Sequence, residues 1–409
     1  MQLEQGGNLP RVKVSNQAAI LKTIYHLGPI KRSEIARRLE LTLPTITTNV
    51  NGMMAQGIVR ETDAGRPEGG LIGRKAHLVD IVPESRHFIG IELQGARRTA
   101  CLLDYRGKPL YTCEDREDCP EYEENIRRSA GMVSEALASC GLTLDRIAGI
   151  GVCTPGLVNN EQGILEIRPT NRWRKKDVRG DIAARTGYTG PISVENNVCA
   201  RAYGAQLFQR EVLEGTRTFA YLFIHQGIGC PLVVNTASTF GSVVGAGEAG
   251  HMVMVPGGLE CSCGNHGCLE AYASDRAVLS GCARSLDQGR APVLRQLLGE
   301  ETLSMEHVLT AQEQGDADVA EVVDRAVYIL GLAVANINNF ACPGKMLIDG
   351  KLFCRQENRD RLLKVVEENL WGAASAGAEF VFVKPEALSG AMGAAAMAIC
   401  KNLETYIEL

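Results

Sequence analysis

The sequence predicts an α/β protein with a small helical head ahead of a larger, two-lobed body. Three observations carry this. The first eighty residues hold three short amphipathic runs, then two strand-like runs around a glycine-rich turn. From residue 87 onward, apolar strand runs alternate with helical runs, the pattern of an α/β core. Similar hairpin openings at 87–110 and 218–236 mark two related lobes with a cleft between them. A chain of 409 residues exceeds one ordinary core. The expected divisions are 1–83 for the head, 84–204 for the first lobe and 205–409 for the second. The C-terminal helix is free to return to the first lobe.

In the head, "NQAAILKTIYHLGPI" places Ile20, Leu21, Ile24 and Leu27 on one helical face, ended by Gly28-Pro29. "KRSEIARRLEL" repeats the pattern with Ile35, Ala36 and Leu39. In "TLPTITTNVNGMMAQGIV", Thr42 is the expected N-cap and Pro44 falls in the first turn. Ile46, Val50 and Met53 make the apolar face, while Thr45, Thr48 and Asn49 offer short hydrogen-bonding groups opposite. "IVRET" and "KAHLVDIV" then read as strands flanking a loop that carries Arg66 and Arg74. Three helices and a hairpin make a winged helix-turn-helix. Its third helix suits a major groove, and its wing arginines suit phosphates or a minor groove. Residues 1–80 carry eleven lysines and arginines against seven acids, in a chain that is net −5. A basic head on an acidic body points to double-stranded DNA as its partner.

The body reads in order as a hairpin at "HFIGIELQGARRTACLLDYRGKPL" and a buried strand at "RIAGIGVCTPGLVNNEQG". Next come a strand and helix at "GPISVENNVCARAYGAQLF" and a second hairpin at "FAYLFIHQGIGCPLVVN". "KMLIDGKL" and "EFVFVKPEALSGAMGAAAMAI" give strand–turn–helix units. Cys101, Cys153 and Cys342 lie in apolar runs and read as small core residues. No apolar run approaches the roughly 18 residues of a membrane span, and "MQLEQGGNLPRVKV" does not read as a signal peptide. The expectation is a cytoplasmic protein with reduced thiols.

The motifs "PG" at 155–156, "VENN" at 194–197, "GIG" at 227–229, "GEAGH" at 247–251 and "CSCGNHGCLE" at 261–270 narrow this further. With the winged helix in front, they resemble the ROK family (repressors, open reading frames and kinases), over roughly residues 15–400. The texture is most similar to its xylose and N-acetylglucosamine repressors. The resemblance implies a sugar-kinase/actin-like fold, homodimers or dimers of dimers, and a sugar site. It places Asn196, Glu248, His251 and Glu270 against the sugar, with Asn197 beside them.

Cys261, Cys263 and Cys268 lie on a glycine-punctuated loop. Three thiolates need a fourth ligand to close a tetrahedron. His251, ten residues upstream, is the natural candidate, and the resemblance assigns it that role. Cys3His leaves no open coordination position, so the expectation is structural Zn2+. A redox pair would use C-x-x-C, absent here. His266, inside the loop, is expected to be exposed and not a ligand.

The resemblance also says what a kinase would need. Its general base is an aspartate in an "END" stretch; here Asn197 holds that place, and an amide does not take up the proton. The first phosphate turn, "D-x-G-G-T" in kinases, reads "ELQGA" at 92–96, and the second reads "HQGIGC" at 225–230. Three altered parts predict a body that does not catalyse phosphate transfer. The resulting expectation is a sugar-responsive transcriptional regulator, a repressor of carbohydrate-utilisation genes. The alternatives are an active sugar kinase with a regulatory head, which Asn197 opposes, and a regulator whose input is a protein partner.

Overall fold

The computed structural model describes residues 9–63, 77–94, 97–168, 170–234, 244–372 and 377–405. The head contains α1 (Leu9–Leu27), β1 (Ile30–Lys31), α2 (Arg32–Leu39), α3 (Leu43–Ala55), β2 (Val59–Asp63) and β3 (His77–Ile81). Ile20, Leu21 and Ile24 are fully buried on α1, but Leu27 is exposed. The helix ends there, and Tyr25 closes the apolar stripe in its place. The Thr42 hydroxyl caps α3 by accepting from the Thr45 amide at 3.4 Å, and Ile46, Val50 and Met53 are buried. β2 and β3 pair antiparallel from Val59 opposite Ile81 to Asp63 opposite His77. β1 adds a third strand on β3; with two residues it is too short to have a sequence period. The wing tip, with Arg66 and Arg74, lies outside the described residues.

The first lobe contains β4 (His87–Gln94), β5 (Arg97–Asp104), β6 (Pro109–Asp115), α4 (Tyr122–Cys140), β7 (Ile147–Thr154), β8 (Leu157–Asn159), β9 (Ile164–Arg168), β10 (Trp173–Asp177), α5 (Val178–Thr186), β11 (Ile192–Asn196) and α6 (Asn197–Phe208). Its main sheet runs β11-β7-β4-β5-β6, with β4, β7 and β11 parallel. β6, unforeseen, is an edge strand whose half-exposed residues give a weak apolar signal. β8, β9 and β10 form a separate three-stranded sheet.

The second lobe contains β12 (Thr218–Ile224), β13 (Ile228–Gly229), β14 (Leu232–Val234), α7 (Glu270–Ala273), α8 (Asp275–Asp287), α9 (Pro292–Leu298), α10 (Met305–Glu313), α11 (Ala317–Ala341), β15 (Lys345–Gly350), α12 (Gln356–Asn369), β16 (Glu379–Val383) and α13 (Ser389–Thr405). Its sheet runs β13-β12-β15-β16, with β14 also on β12. The helices from α7 to α12 pack on this sheet around the longest of them, α11, whose apolar stripe is buried. Cys101 and Cys153 are core residues as expected, but Cys342 is exposed, because it caps α11 in a left-handed conformation.

α13 does leave the second lobe and packs on the first. A Cβ on Gly151 would lie 1.8 Å from the Ala394 carbonyl, and one on Gly90 would lie 1.9 Å from that of Ala391. Only glycine lets strand and helix backbones approach this closely. The far end of α13 reaches the head. Asn402 accepts from Tyr105 Oη at 2.9 Å and Arg86 Nη1 at 2.7 Å. Tyr105 in turn packs on Tyr25 of α1, their ring centres 5.8 Å apart. Head, first lobe and α13 therefore share one continuous core, including Ile24, Val79, Phe88 and Ala395.

Candidate effector cavity and metal centre

A cavity of about 620 Å³ opens between the lobes. It has room for a monosaccharide and ordered water. Asn196 is the last residue of β11 and the N-cap of α6: its Oδ1 accepts from the Val198 amide, and its Nδ2 donates to the Gly156 carbonyl, both at 2.8 Å. Asn197 follows, buried in the first turn of α6. Glu248 and His251 come from the turn after the second hairpin, and Glu270 opens α7. All five expected effector residues line this one cavity.

The metal residues converge as well. One ligand atom each from His251, Cys261, Cys263 and Cys268 lies within 4.8 Å of the others. Cys261 Sγ is 3.7 Å from His251 Nδ1, and Cys263 Sγ is 3.8 Å from Cys268 Sγ. A tetrahedral zinc with ~2.3 Å bonds to sulfur has edges of about 3.8 Å, so the donor set fits. His266 is exposed and outside the cluster. Nδ1 of His251 faces the thiols, which leaves the other ring nitrogen for the cavity. Ser262, between two of the cysteines, donates to Glu270 Oε1 at 3.1 Å. Glu270 also holds Arg276 at 3.1 Å and accepts from the Ile228 amide at 3.3 Å. The metal loop is thus tied directly to a carboxylate of the cavity wall. Burial, with the neighbouring Glu270 charge adding to it, raises the Glu248 pKa above the ordinary carboxylate range.

The first phosphate-turn position is occupied from within. Glu92, at the end of β4, pairs with Arg201 of α6 at 2.8 Å, both almost fully buried. Gln94 donates to the same carboxylate at 2.8 Å. Arg201 lies over the Phe223 ring at 4.3 Å, and the His225 ring stacks nearly parallel on the same phenylalanine, 5.9 Å between centres. Burial raises the Glu92 pKa, but the Arg201 charge and hydrogen bond outweigh it and the net shift is downward. Burial, aided by the Arg201 and Lys351 charges, lowers the His225 pKa to about 4, and burial raises that of Asp275 to about 7. Ala96 of this turn lies outside the described residues.

Sequence reading did not find the Glu92–Arg201 pair, the His225–Asp275 contact at 4.0 Å or the cavity-lining Arg168. Their partners are remote in sequence. The one local signal was Arg201 four residues after Asn197, whose carbonyl it reaches at 3.0 Å.

On α3, Thr42, Pro44 and Thr48 are exposed, and Thr45 and Asn49 are half-buried. The Asn49 amide donates to the Thr45 carbonyl at 2.8 Å, and the Thr42 and Thr45 hydroxyls share a bond of 2.8 Å. Leu43, at the start of the same helix, is 50% exposed and was not anticipated. Part of the head's positive charge is spent internally: Arg37 and Arg38 pair with Glu34, and Arg32 pairs with Glu61.

These features define a class: a kinase-like two-lobed body, a Cys3His loop at its cleft, and a winged helix in front. The ROK family profile matches residues 88–401, and the chain belongs to that family. A MarR family profile matches residues 15–63, so the helix-turn-helix of the head is MarR-like. The xylose repressor of Bacillus subtilis is 26% identical over 339 residues, 82% of each chain. The transcriptional dual regulator NagC of Escherichia coli is 26% identical over 358 residues, 85% of this chain and 83% of its own. A ROK family transcriptional regulator of known structure, a homologue of the E. coli MLC protein, superposes with a TM-score of 0.81 at 24% identity, covering 96% of this chain and 97% of that one. The Streptomyces griseus ROK glucokinase, solved with glucose and AMPPNP, has a TM-score of 0.64 over 76% of this chain and 98% of its own, without a counterpart for the rest. Among the described residues no helix is long and apolar enough to cross a membrane.

Proposed function

We propose that this protein is a cytoplasmic, sugar-responsive transcriptional repressor of carbohydrate-utilisation genes, and that its kinase-like body does not transfer phosphate. The observation that carries the reading is the contrast between the cavity and the adjoining end of β4. Five hydrogen-bonding side chains suited to sugar hydroxyls line the cavity, while the first phosphate-turn position holds the buried Glu92–Arg201 pair. The neutral Asn197 stands where a general base would be needed. Structural zinc on His251, Cys261, Cys263 and Cys268 holds the wall that carries Glu270. Asn196, Asn197, Glu248, His251 and Glu270 bind the sugar.

α3 reads operator DNA through Thr45, Thr48 and Asn49 from a start set by Thr42 and Pro44, with Leu43 placed for a thymine methyl. Arg66 and Arg74 of the wing contact the backbone or minor groove. A homodimer, or a dimer of dimers, presents two such helices to half-sites. Sugar binding changes the lobe arrangement, and α13 passes that change to the core of the head. The ligand acts only through its different affinity for the two arrangements.

The test is a selection from genomic fragments with the purified full-length protein, followed by anisotropy titrations with a sugar panel. A palindromic site is expected to bind tightly, in a salt-sensitive way, and one sugar is expected to weaken it. Thr48→Ala should weaken site binding by about 1 kcal/mol or more without altering thermal stability. Absence of any selected fragment would end the reading. Sugar-dependent release of ADP from ATP would replace it with a kinase.

A further inference from the structure

The sensor reading leaves the chemistry of the effector open, and one cavity residue bears on it. Arg168 ends β9 and is only 6% exposed. It lines the interlobe cavity. Its Nε and Nη1 atoms are buried and have no hydrogen-bond partner among the described residues. Its guanidinium lies over the Trp173 ring at 4.8 Å, which fixes its position without neutralising it. Burial lowers its pKa to about 10, the Glu92 charge acting the other way, so it remains a cation at neutral pH.

The other lysine and arginine side chains lining the cavity are matched. Arg276 pairs with Glu270, Lys351 with Glu306 at 2.8 Å, and Glu92 is engaged by Arg201. Arg168 is the exception among the cavity's cations. It also stands next to the expected sugar site. A Cβ on Gly156 would come within 3.2 Å of the Arg168 Cα and Cβ, and the Gly156 carbonyl takes the Asn196 amide at 2.8 Å. A buried guanidinium is stable when an anion reaches it, and its planar fork suits two oxygens of a carboxylate or phosphate.

We infer that the effector is an anionic sugar, a sugar acid or a sugar phosphate monoester, whose charged group is bound by Arg168. The inference rests on the sensor reading and names the ligand class of that site. The neutral Asn197 amide in the same cavity adds no charge that would repel such a group. Arg168 thus acts as the specificity residue that separates an anionic sugar from its neutral parent.

The test is calorimetric titration of the full-length protein with matched sets: glucose, glucuronate and glucose 6-phosphate; xylose and xylonate; N-acetylglucosamine and its 6-phosphate. Inorganic phosphate serves as the control for charge without a sugar ring. In one set the anionic member should bind at least about tenfold more tightly than its neutral parent, the scale of a charge-assisted hydrogen bond. The carboxylate and phosphate arms show which anion is used. Arg168→Gln should bring that pair to within about threefold, while Arg168→Lys should keep part of the preference. The wild-type ratio decides even if a variant folds poorly. A neutral sugar binding as tightly as its acid and phosphate overturns this inference and leaves the sensor reading intact. So does an anion preference that survives Arg168→Gln. No binding by any sugar overturns the sensor reading, and this inference with it.

Discussion

Two short glycine-bearing turns face the same cavity, and they have met opposite fates. The cysteine loop at 261–268 joins His251 to hold four donor atoms at the spacing of a tetrahedral metal, and hands Ser262 to Glu270. The end of β4 has Glu92 and Gln94 where phosphate-binding turns keep open backbone, and Arg201 pairs with Glu92 there. One turn organises the cavity from outside. The other fills a would-be site from inside. The difference teaches that a binding wall and a catalytic wall are separable, since each is held by its own interactions. Hydrogen bonds and metal ligation position a ligand, but phosphate transfer also needs free backbone amides and a base.

The largest effect is expected on the metal side. Cys268→Ser removes a fully buried ligand, and structural zinc contributes folding energy directly, so the loss should be about 3 kcal/mol or more. Metal content and thermal unfolding measure it. A variant with full zinc content and unchanged stability would break the comparison.

The filled turn should cost nearly as much to disturb. Arg201→Met leaves Glu92 buried without its cation, a loss of about 3–5 kcal/mol, and Glu92→Gln should behave similarly. The double variant should recover much of this, because neither charge is then left alone. Urea denaturation of the four proteins reads the coupling. Additive losses would mean the pair is incidental. Neither single variant should acquire ATPase activity.

A pH-dependent effect comes next. Burial holds the Asp275 carboxyl protonated in the folded chain up to about pH 7, against an ordinary value near 4. Its contribution is therefore full below about pH 4 and is lost as pH rises through about 7. Asp275→Asn should match the wild type near pH 4, gain on it progressively as pH rises to about 7, and exceed it in stability by a few kcal/mol at most at pH 8. A difference independent of pH would show that Asp275 is solvated.

The smallest effect belongs to the link between metal loop and cavity. Ser262→Ala removes its hydrogen bond to Glu270 and should weaken effector binding by about 1 kcal/mol, with zinc content unchanged. Calorimetry against the best-binding sugar checks this. Unaltered affinity would show that the loop supports the fold without tuning the site.

Much of this was legible in the residues. The apolar faces of α1 and α3, the capping Thr42, the β2–β3 pairing and the strand–helix alternation follow from period, capping chemistry and turns, which are local signals. The Cys3His set was legible because metal ligation restricts both residue type and spacing. The short β1, the edge strand β6, the exposed Leu27 and the exposed Cys342 were not, since burial there depends on what lies across from them.

The sequence by itself determined the family motifs, the Cys3His cluster and the neutral Asn197, because each resides in residue identity. Only the tertiary structure decided that Arg201 seals Glu92, that Arg168 Nε and Nη1 find no partner among the described residues, and that α13 joins first lobe to head. Those outcomes depend on residues distant along the chain. Burial, which makes each charge costly or useful, is a property of the packed molecule and not of any segment.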